Sequence, residues 1–184
     1  LIIMVYLELM MRNEKNRAKL NQESSSIRHL LLEVNQQHEN INSALKRIKE
    51  FALARSCFFA DTDGEDYYYI KPTLKDKSLL GDDRKYFIGE LFRYAANIHS
   101  DNNSDNTGFM QIVPDAHLAK TNSKLYGFML KQGIREVSFA IITDKNNHVS
   151  ILGTINSKRS FATRMLLGDV AVCFSIAIYN KKHL

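Results

Sequence analysis

The sequence contains no tryptophan, two prolines and only two cysteines among its 184 residues. Cys57 and Cys173 lie far apart in the chain, and each stands among apolar residues. A metal site or a disulfide framework requires more cysteines at closer spacing, and the chain has no C-x-x-C motif. We therefore expect both cysteines to act as small buried hydrophobic residues in a reducing compartment.

Motifs of known catalytic sites are also missing. The chain has no G-x-S-x-G, P-loop, H-E-x-x-H or dinucleotide-binding glycine motif. Its six histidines are scattered, and none stands near a cysteine or a carboxylate at the spacing of a metal site. The sequence therefore predicts a protein that is not an enzyme, that has no catalytic or metal-binding residues, and for which no cofactor can be named.

Basic residues are only slightly in excess of acidic ones, which gives a formal net charge of +5. One basic cluster stands out, because Arg12, Lys15, Arg17 and Lys19 surround a single acid, Glu14. Elsewhere basic and acidic residues are interspersed, and no zinc-finger spacing or RNA-binding aromatic motif accompanies them. We therefore expect no nucleic-acid partner.

The composition that remains, 45% hydrophobic and 24% charged, is typical of a folded globular protein. The length suits one domain with an appended helix. Residues 1–11 (LIIMVYLELMM) are apolar except for one glutamate, but a membrane span needs about twenty such residues. They are either a buried helix start or strand, or the end of a transmembrane helix in a longer protein. The basic cluster that follows favours the latter, and places the domain on the cytoplasmic side of the inner membrane.

A seven-residue hydrophobic repeat follows the basic cluster. Apolar residues recur without an intervening glycine or proline at Leu20, Ile27, Val34, Ile41 and Ile48. Residues 30, 44 and 51 add apolar positions three further on, with Gln37 as a polar interruption. This pattern predicts a long signalling helix over residues 12–50 that forms a parallel coiled coil in a homodimer. The alternative is a single amphipathic helix that packs on its own domain.

The rest of the chain, residues 51–184, alternates between strand and helix patterns. Residues 56–60 and 67–70 flank an acidic turn and predict a β-hairpin. Asp82 is a candidate N-cap for a helix to about residue 98, and a helix from Ser123 ends at Gly133. Two further strands, at 138–143 and 148–156, lead into a strongly apolar helix over residues 162–181.

Four short segments follow one another in this part of the chain: LKQGIR at 130–135, ILGTI at 151–155, RSF at 159–161 and IAIYN at 176–180. Their order resembles that of the GAF family of sensory domains. Members commonly show a helix, an "l-GI-r-s" motif, two strands with "v-i-G-v-l" in the second, an "x-x-F-t" link and a last helix ending in "a-i-x-N". One departure is Asn147, which stands where the family's turn has a glycine. The resemblance covers residues 43–181 and implies an α+β, GAF/PAS-like antiparallel sheet flanked by helices.

The resemblance also implies a function. GAF domains bind small molecules and pass signals through their first and last helices, so we expect a small-molecule ligand and an output domain in the same chain. A histidine kinase or a cyclic-di-GMP enzyme, in a two-component or cyclic-di-GMP pathway, is the expected output. The alternative is a degenerate GAF domain that binds nothing and serves as a dimerisation and relay spacer.

Strand alternation selects the candidate ligand-binding residues. Side chains of alternate residues share one face, which groups Phe139 and Ile141 with Gly153 and Ile155. Gly153 is the most informative of the four, because a glycine within a strand leaves room for a ligand or for a closely packed helix. Packing in an ordinary core is the alternative for all four residues.

The last helix is apolar nearly all round, with only Arg164 and Asp169 charged before residue 181. One apolar stripe can cover the sheet, but a second must also be buried. This pattern predicts a homodimer through the N-terminal and C-terminal helices.

Overall fold

The computed structural model describes residues 1–33, 37–61, 67–69, 82–99, 107–143 and 149–183. The elements in these ranges are α1 Ile2–Leu32, α2 Gln37–Ala52, β1 Ser56–Asp61, β2 Tyr67–Tyr69, α3 Asp82–His99, β3 Thr107–Ile112, α4 Ala116–Thr121, α5 Ser123–Lys131, β4 Val137–Thr143, β5 Val149–Ile155 and α6 Ser160–His183. Most of the predicted acidic turn, the turn that contains Asn147, and Val34 of the repeat lie outside the described residues.

The strands form one antiparallel sheet in the order β2-β1-β5-β4-β3. Successive side chains of a strand point to opposite faces, so the strands contribute to two separate apolar clusters. Helices cover both faces. The predicted α+β fold, an antiparallel sheet flanked by helices with a long N-terminal helix, is confirmed.

Helices α1, α2 and α6 cover one face of the sheet. The backbone of α2 lies close to β1 and that of α6 close to β4 and β5, while α1 packs on α2 and α6. The ring of Phe59 from β1 stacks on that of Phe174 from α6, with centroids 5.8 Å apart. Aliphatic side chains from all three helices complete this cluster.

Helices α1 and α6 run in the same direction. Leu20 and Met165 line one groove between them, and one turn later Ser24 Oγ lies 3.5 Å from Asp169 Oδ2. The residues of α1 before Leu20 are all exposed. The first turns of α1 therefore extend past the start of α6 and away from the domain.

The predicted continuous coiled-coil helix is wrong. Helix α1 ends at Leu32, where Glu33 adopts an extended backbone with ψ of 114°, and α2 begins at Gln37. Arg47 of α2 forms an ion pair with Glu23 of α1, with an N–O distance of 3.2 Å. The two helices therefore fold back on each other as an antiparallel pair.

Three residues of the seven-residue repeat are fully buried inside this single chain, and Leu20 is partly buried. Ile27, Ile41 and Ile48 are each 0% exposed, and they pack in the cluster that contains α6 and the sheet. They are therefore not available for contact with a second copy. The alternative interpretation, a single amphipathic helix packed on its own domain, is correct about what buries these positions but wrong about a single helix, because they lie on both α1 and α2.

Helices α3, α4 and α5 cover the opposite face. Both predicted helices are present, and Gly133 has the expected left-handed backbone, with φ of 64°. The short helix α4 was not predicted; Asp115 caps it by accepting a 2.8 Å hydrogen bond from the backbone N–H of Leu118. These helices meet the sheet through a second, aromatic-rich cluster.

Helix α6 buries only one side within the chain. Its outer stripe consists of apolar side chains that are 44–76% exposed: Phe161, Met165, Val172, Ile176 and Tyr179. In the described part of the chain, α6 is also the helix that is long and apolar enough to span a membrane, over Ser160–Asn180. Because its inner side packs on the sheet and on α1, we assign it to the core of the domain.

Candidate functional site

A row of paired residues crosses the sheet beneath α3 and α5. Phe58 of β1 and Phe139 of β4 both lie opposite Gly153 of β5, and Met110 of β3 lies opposite Phe139. Phe58 and Phe139 are 1% and 0% exposed. The centre of this face is therefore a glycine between two buried phenylalanines.

The Phe58 ring fills the space where a side chain of residue 153 would lie. A Cβ atom added to Gly153 would lie 2.6 Å from Cζ of Phe58 and 2.8 Å from Cβ of Phe139. Such distances are well below van der Waals contact. Close packing by the two rings therefore accounts for the glycine in this strand.

The four residues selected from the sequence lie together on this face. Ile141 lies opposite Ile151, and Ile155 lies opposite Val137, each in the same cluster as Phe139. Phe139, Ile141 and Ile155 are at most 1% exposed. Their predicted common face is thus present, while their role in binding a ligand stays a prediction.

Aromatic rings from the helices face the row. Phe87 of α3 stacks on Phe128 of α5 with ring centroids 5.6 Å apart, and Tyr86 meets Phe128 edge-on at 5.4 Å. Leu91 and Leu125 are fully buried beside them. Large side chains thus fill the layer between α3, α5 and the sheet.

One carboxylate lies within this helical layer. The side chain of Glu90 is 8% exposed and forms a 2.7 Å ion pair with Arg93 Nη1. Its second oxygen accepts a 2.8 Å hydrogen bond from Asn122 Nδ2. Asn122 also caps α5, because its Oδ1 accepts from the backbone N–H of Leu125. Glu90 therefore connects α3 to the junction of α4 and α5.

Tyr86 adds a polar group with unused hydrogen-bonding capacity. Its hydroxyl oxygen is buried and has no hydrogen-bond partner among the described residues. Burial raises the pKa of Tyr86, the Glu90 carboxylate raises it further, and the Arg93 charge opposes both. The neutral phenol can donate or accept a hydrogen bond.

Neither Tyr86 nor Glu90 was selected from the sequence. The buried stripe of α3 contains Phe87 and Leu91, and Tyr86 and Glu90 each directly precede one of these residues. A carboxylate at the border of a buried helical stripe was the available signal. Its meaning depends on Asn122, which is distant in the sequence and could not be paired with it in advance.

The two cysteines take no part in this face. Cys57 points to the opposite side of the sheet, and burial raises the pKa of its thiol far above the usual value. Cys173 is half-buried on α6, and neither cysteine forms a disulfide. Within the described ranges, no group of three His, Cys, Asp or Glu residues is arranged to hold a metal ion.

No protein-family model matches the chain, and no curated protein matches it. Solved structures do. The N-acylhomoserine-lactone-dependent LuxR-family transcription factor CepR2 from Burkholderia cenocepacia matches with a TM-score of 0.53 and 9% identity, over 88% of this chain and 94% of that one. The phycoerythrobilin-bound GAF domain of a cyanobacterial phytochrome matches with a TM-score of 0.51 and 14% identity, over 92% and 98%.

A third structure is SdiA in complex with octanoyl-rac-glycerol, with a TM-score of 0.52 and 10% identity. It covers 92% of this chain, which in turn spans 66% of the SdiA chain. At such low identities the similarity concerns the fold. The chain has the α+β, GAF-like fold that these GAF and LuxR-type domains share.

Proposed function

We propose that this chain is a sensory domain that binds a small, largely apolar molecule between the sheet and helices α3 and α5. It is a binding domain and not an enzyme. The observation that carries the proposal is the layer of large aromatic side chains between the sheet and these helices, with the buried Tyr86 hydroxyl beside it. A ligand with aromatic or acyl character can replace ring contacts at Phe58, Phe87 and Phe139 when those rings rotate.

The polar groups of the layer give such a ligand an orientation. Apolar ligand sites commonly contain a few placed polar groups that determine specificity. The Tyr86 hydroxyl is a free donor or acceptor among the described residues, and it lies on the same helix as the Glu90–Arg93 pair. We therefore expect the ligand to contain at least one hydrogen-bonding group beside its apolar part.

The fold comparison supports this proposal. SdiA was solved with octanoyl-rac-glycerol, the phytochrome GAF domain with phycoerythrobilin, and CepR2 depends on N-acylhomoserine lactones. These ligands combine an apolar part with polar groups. A domain of the same fold, with an aromatic face and a buried tyrosine hydroxyl, is suited to a molecule of the same general character.

Native mass spectrometry of the purified protein tests the proposal. We expect a co-purifying molecule of a few hundred daltons that dissociates on denaturation. Tyr86→Phe removes the hydroxyl without changing the packing volume, so the bound fraction should fall while the protein remains folded. An unliganded mass for protein from several expression hosts, together with no thermal shift on adding acyl or aromatic compounds, would contradict the proposal.

The alternative function is a ligand-free dimerisation and relay spacer. The specific observation in its favour is that the Phe58 ring already fills the space above Gly153. The two functions differ in what Gly153→Ala does. In a spacer this variant only loses stability, whereas in a sensor it also lowers ligand affinity at temperatures where the protein is fully folded.

We propose that the assembled form is a homodimer through the outer stripe of α6. Met165, Val172 and Tyr179 recur every seven residues on that stripe and are 44–63% exposed. This spacing is typical of a seam between two identical helices. Exposed apolar stripes of this length on soluble domains commonly mark interfaces. The proposal keeps the homodimer expected from the sequence, but its interface is α6 and not the seven-residue repeat of α1 and α2.

We also propose that the domain is attached to the cytoplasmic side of the inner membrane through residues 1–11. Large apolar side chains of this segment are 44–101% exposed and precede the basic cluster. Because α1 and α6 are parallel, α1 enters at one end of the domain and α6 leaves at the other. This arrangement suits the relay of a ligand signal from the membrane side to an output domain such as a histidine kinase or a cyclic-di-GMP enzyme.

A further inference from the structure

Three chain segments meet at one end of the domain. Helix α6 begins beside residues 13–21 of α1, with which it lines a groove. Helix α2 ends at the same place, because the backbone N–H of Lys158 and the hydroxyl of Ser157 both donate to the carbonyl oxygen of Ala52, each at 3.1 Å. We call this surface, formed by residues 12–19, 50–53 and 157–160, the basic end.

The basic end carries a concentrated positive charge. Its three segments contain six basic residues and two acidic ones, Glu14 and Glu50. Two of the basic residues, Lys158 and Arg159, are exposed in the link before α6. The basic cluster of α1 is therefore extended in space by residues more than 130 positions later in the chain.

An exposed leucine lies beside these charges in an unfavourable backbone conformation. Leu53 directly follows α2, with φ of 49°, and its side chain is 49% exposed. Glycine or asparagine is usual where a helix ends in this left-handed conformation. An apolar residue there costs stability while about half of its side chain stays exposed, and such exceptions often mark functional positions.

The geometry places the basic end at the depth of lipid headgroups. A helix rises 1.5 Å per residue, so residues 13–17 lie about 3 to 9 Å along α1 from Met11. The headgroup layer on each side of a bilayer is roughly 5 to 7 Å thick. Arg159 lines one groove with residues 13, 16 and 17, and Lys158 directly precedes it. If residues 1–11 enter the hydrocarbon, these two basic residues reach the level of the phosphates.

We propose that the basic end docks on an anionic lipid surface, with Lys158 and Arg159 at the phosphates and Leu53 in the interface. The inference rests on the proposed membrane attachment through residues 1–11, and adds that the domain itself lies on the bilayer. The exposed Leu53 beside the charges favours a membrane over a nucleic acid, because a nucleic acid offers phosphates but no apolar layer.

Co-sedimentation of the full chain with two kinds of vesicle tests the proposal. Phosphatidylcholine vesicles report insertion of residues 1–11, and vesicles with one quarter phosphatidylglycerol add the anionic surface. We expect tighter, salt-sensitive binding to the anionic vesicles. Lys158→Glu with Arg159→Glu should lower that affinity by roughly 30-fold or more, as expected for two interfacial basic residues, and leave binding to neutral vesicles unchanged. The matched control is Lys120→Glu with Lys124→Glu, which lies outside the basic end and should bind like the wild type.

A second variant separates docking from folding. Leu53→Asn suits the left-handed backbone, so it should raise the melting temperature while weakening binding to both kinds of vesicle, whose interface receives the leucine. A purely structural role for Leu53 predicts no loss of binding.

The remaining outcomes overturn the inference in distinguishable ways. Binding to neither kind of vesicle would refute the membrane attachment and the docking together. Binding to both kinds with equal affinity, unaffected by Lys158→Glu with Arg159→Glu, would leave the attachment standing and refute the docking. Binding to double-stranded DNA as tightly as to anionic vesicles, lost in the same double variant, would show that the basic end recognises a nucleic acid instead.

Discussion

The ring of Phe58 occupies the space that a side chain at Gly153 would need, with Cζ only 2.6 Å from the position of the missing Cβ. A side chain from β1 thus occupies the space above a residue of β5, which is possible only because that residue is glycine. This relationship connects the stability of the sheet to the proposed ligand site, since a molecule that moves Phe58 alters the contact at Gly153.

Gly153→Ala should therefore destabilise the protein by about 1–3 kcal/mol, the usual cost of overpacking a close-packed core. Adding Phe58→Leu should recover part of this loss, because the smaller side chain leaves room for the methyl group added at residue 153. Urea unfolding of the single and double variants measures both effects. Gly127→Ala on α5 is the control. Apart from its chain neighbours and the backbone of its own helix, no atom lies within 4 Å of the added Cβ, so higher helix propensity should stabilise this variant by up to about 1 kcal/mol. A neutral Gly153→Ala would show that the strands are not packed as described.

Asn156 should be the most sensitive polar position outside the two clusters. It has a left-handed backbone, φ 53°, and its Oδ1 accepts a 2.6 Å hydrogen bond from the Arg135 N–H. Its Nδ2 donates to the Gly133 carbonyl at 2.9 Å. Asn156→Ala should cost about 2–4 kcal/mol from lost hydrogen bonds and backbone strain. Asn156→Gly removes the strain and should cost less; equal losses in thermal melts would argue against the strain contribution.

Substitutions on the two helical surfaces should have opposite consequences. Ile41→Lys places a charge in the chain's own core and should unfold the domain, since Ile41 is 0% exposed. Val172→Lys changes the outer stripe of α6, so it should leave a folded monomer in place of the dimer. Circular dichroism and analytical ultracentrifugation distinguish these results. Folded monomers from Ile41→Lys, with an unchanged dimer from Val172→Lys, would restore the coiled-coil interpretation.

The pKa of Tyr86 predicts how stability depends on alkaline pH. Burial raises this pKa above the ordinary value of 10.0. Above pH 10 the unfolded state therefore loses the phenol proton first, so stability falls as the pH rises toward the folded-state pKa and is fully present below pH 10. Tyr86→Phe should lose less stability than the wild type between pH 9.5 and 11, as measured by urea midpoints. Parallel pH curves for the two proteins would show that the hydroxyl is not buried in solution.

The local patterns of the sequence predicted most of the fold. The hairpin of β1 and β2, the β4–β5 pair, and the limits of α3, α5 and α6 follow from alternation, capping residues and helical periodicity. The face shared by Phe139, Ile141, Gly153 and Ile155 also followed, because alternation in two adjacent antiparallel strands places these side chains together once the strands pair.

The coiled-coil prediction failed for a physical reason. Seven-residue spacing shows that one stripe of a helix is buried, but not which surface buries it. The repeat positions at residues 20 and 27 lie on α1, and those at residues 41 and 48 lie on α2. The chain turns back between the two helices without a glycine or proline to signal the turn. The Tyr86–Glu90–Asn122 arrangement was equally inaccessible, because it depends on packing between residues more than 30 positions apart.

The most direct test of the central claim is a crystal structure of the protein with its co-purified molecule. The proposed function predicts that the molecule lies between the sheet and helices α3 and α5, with the Phe58 ring displaced from Gly153 and a hydrogen bond to the Tyr86 hydroxyl. A molecule bound elsewhere, such as in the groove between α1 and α6, with Phe58 still packed over Gly153, would contradict it.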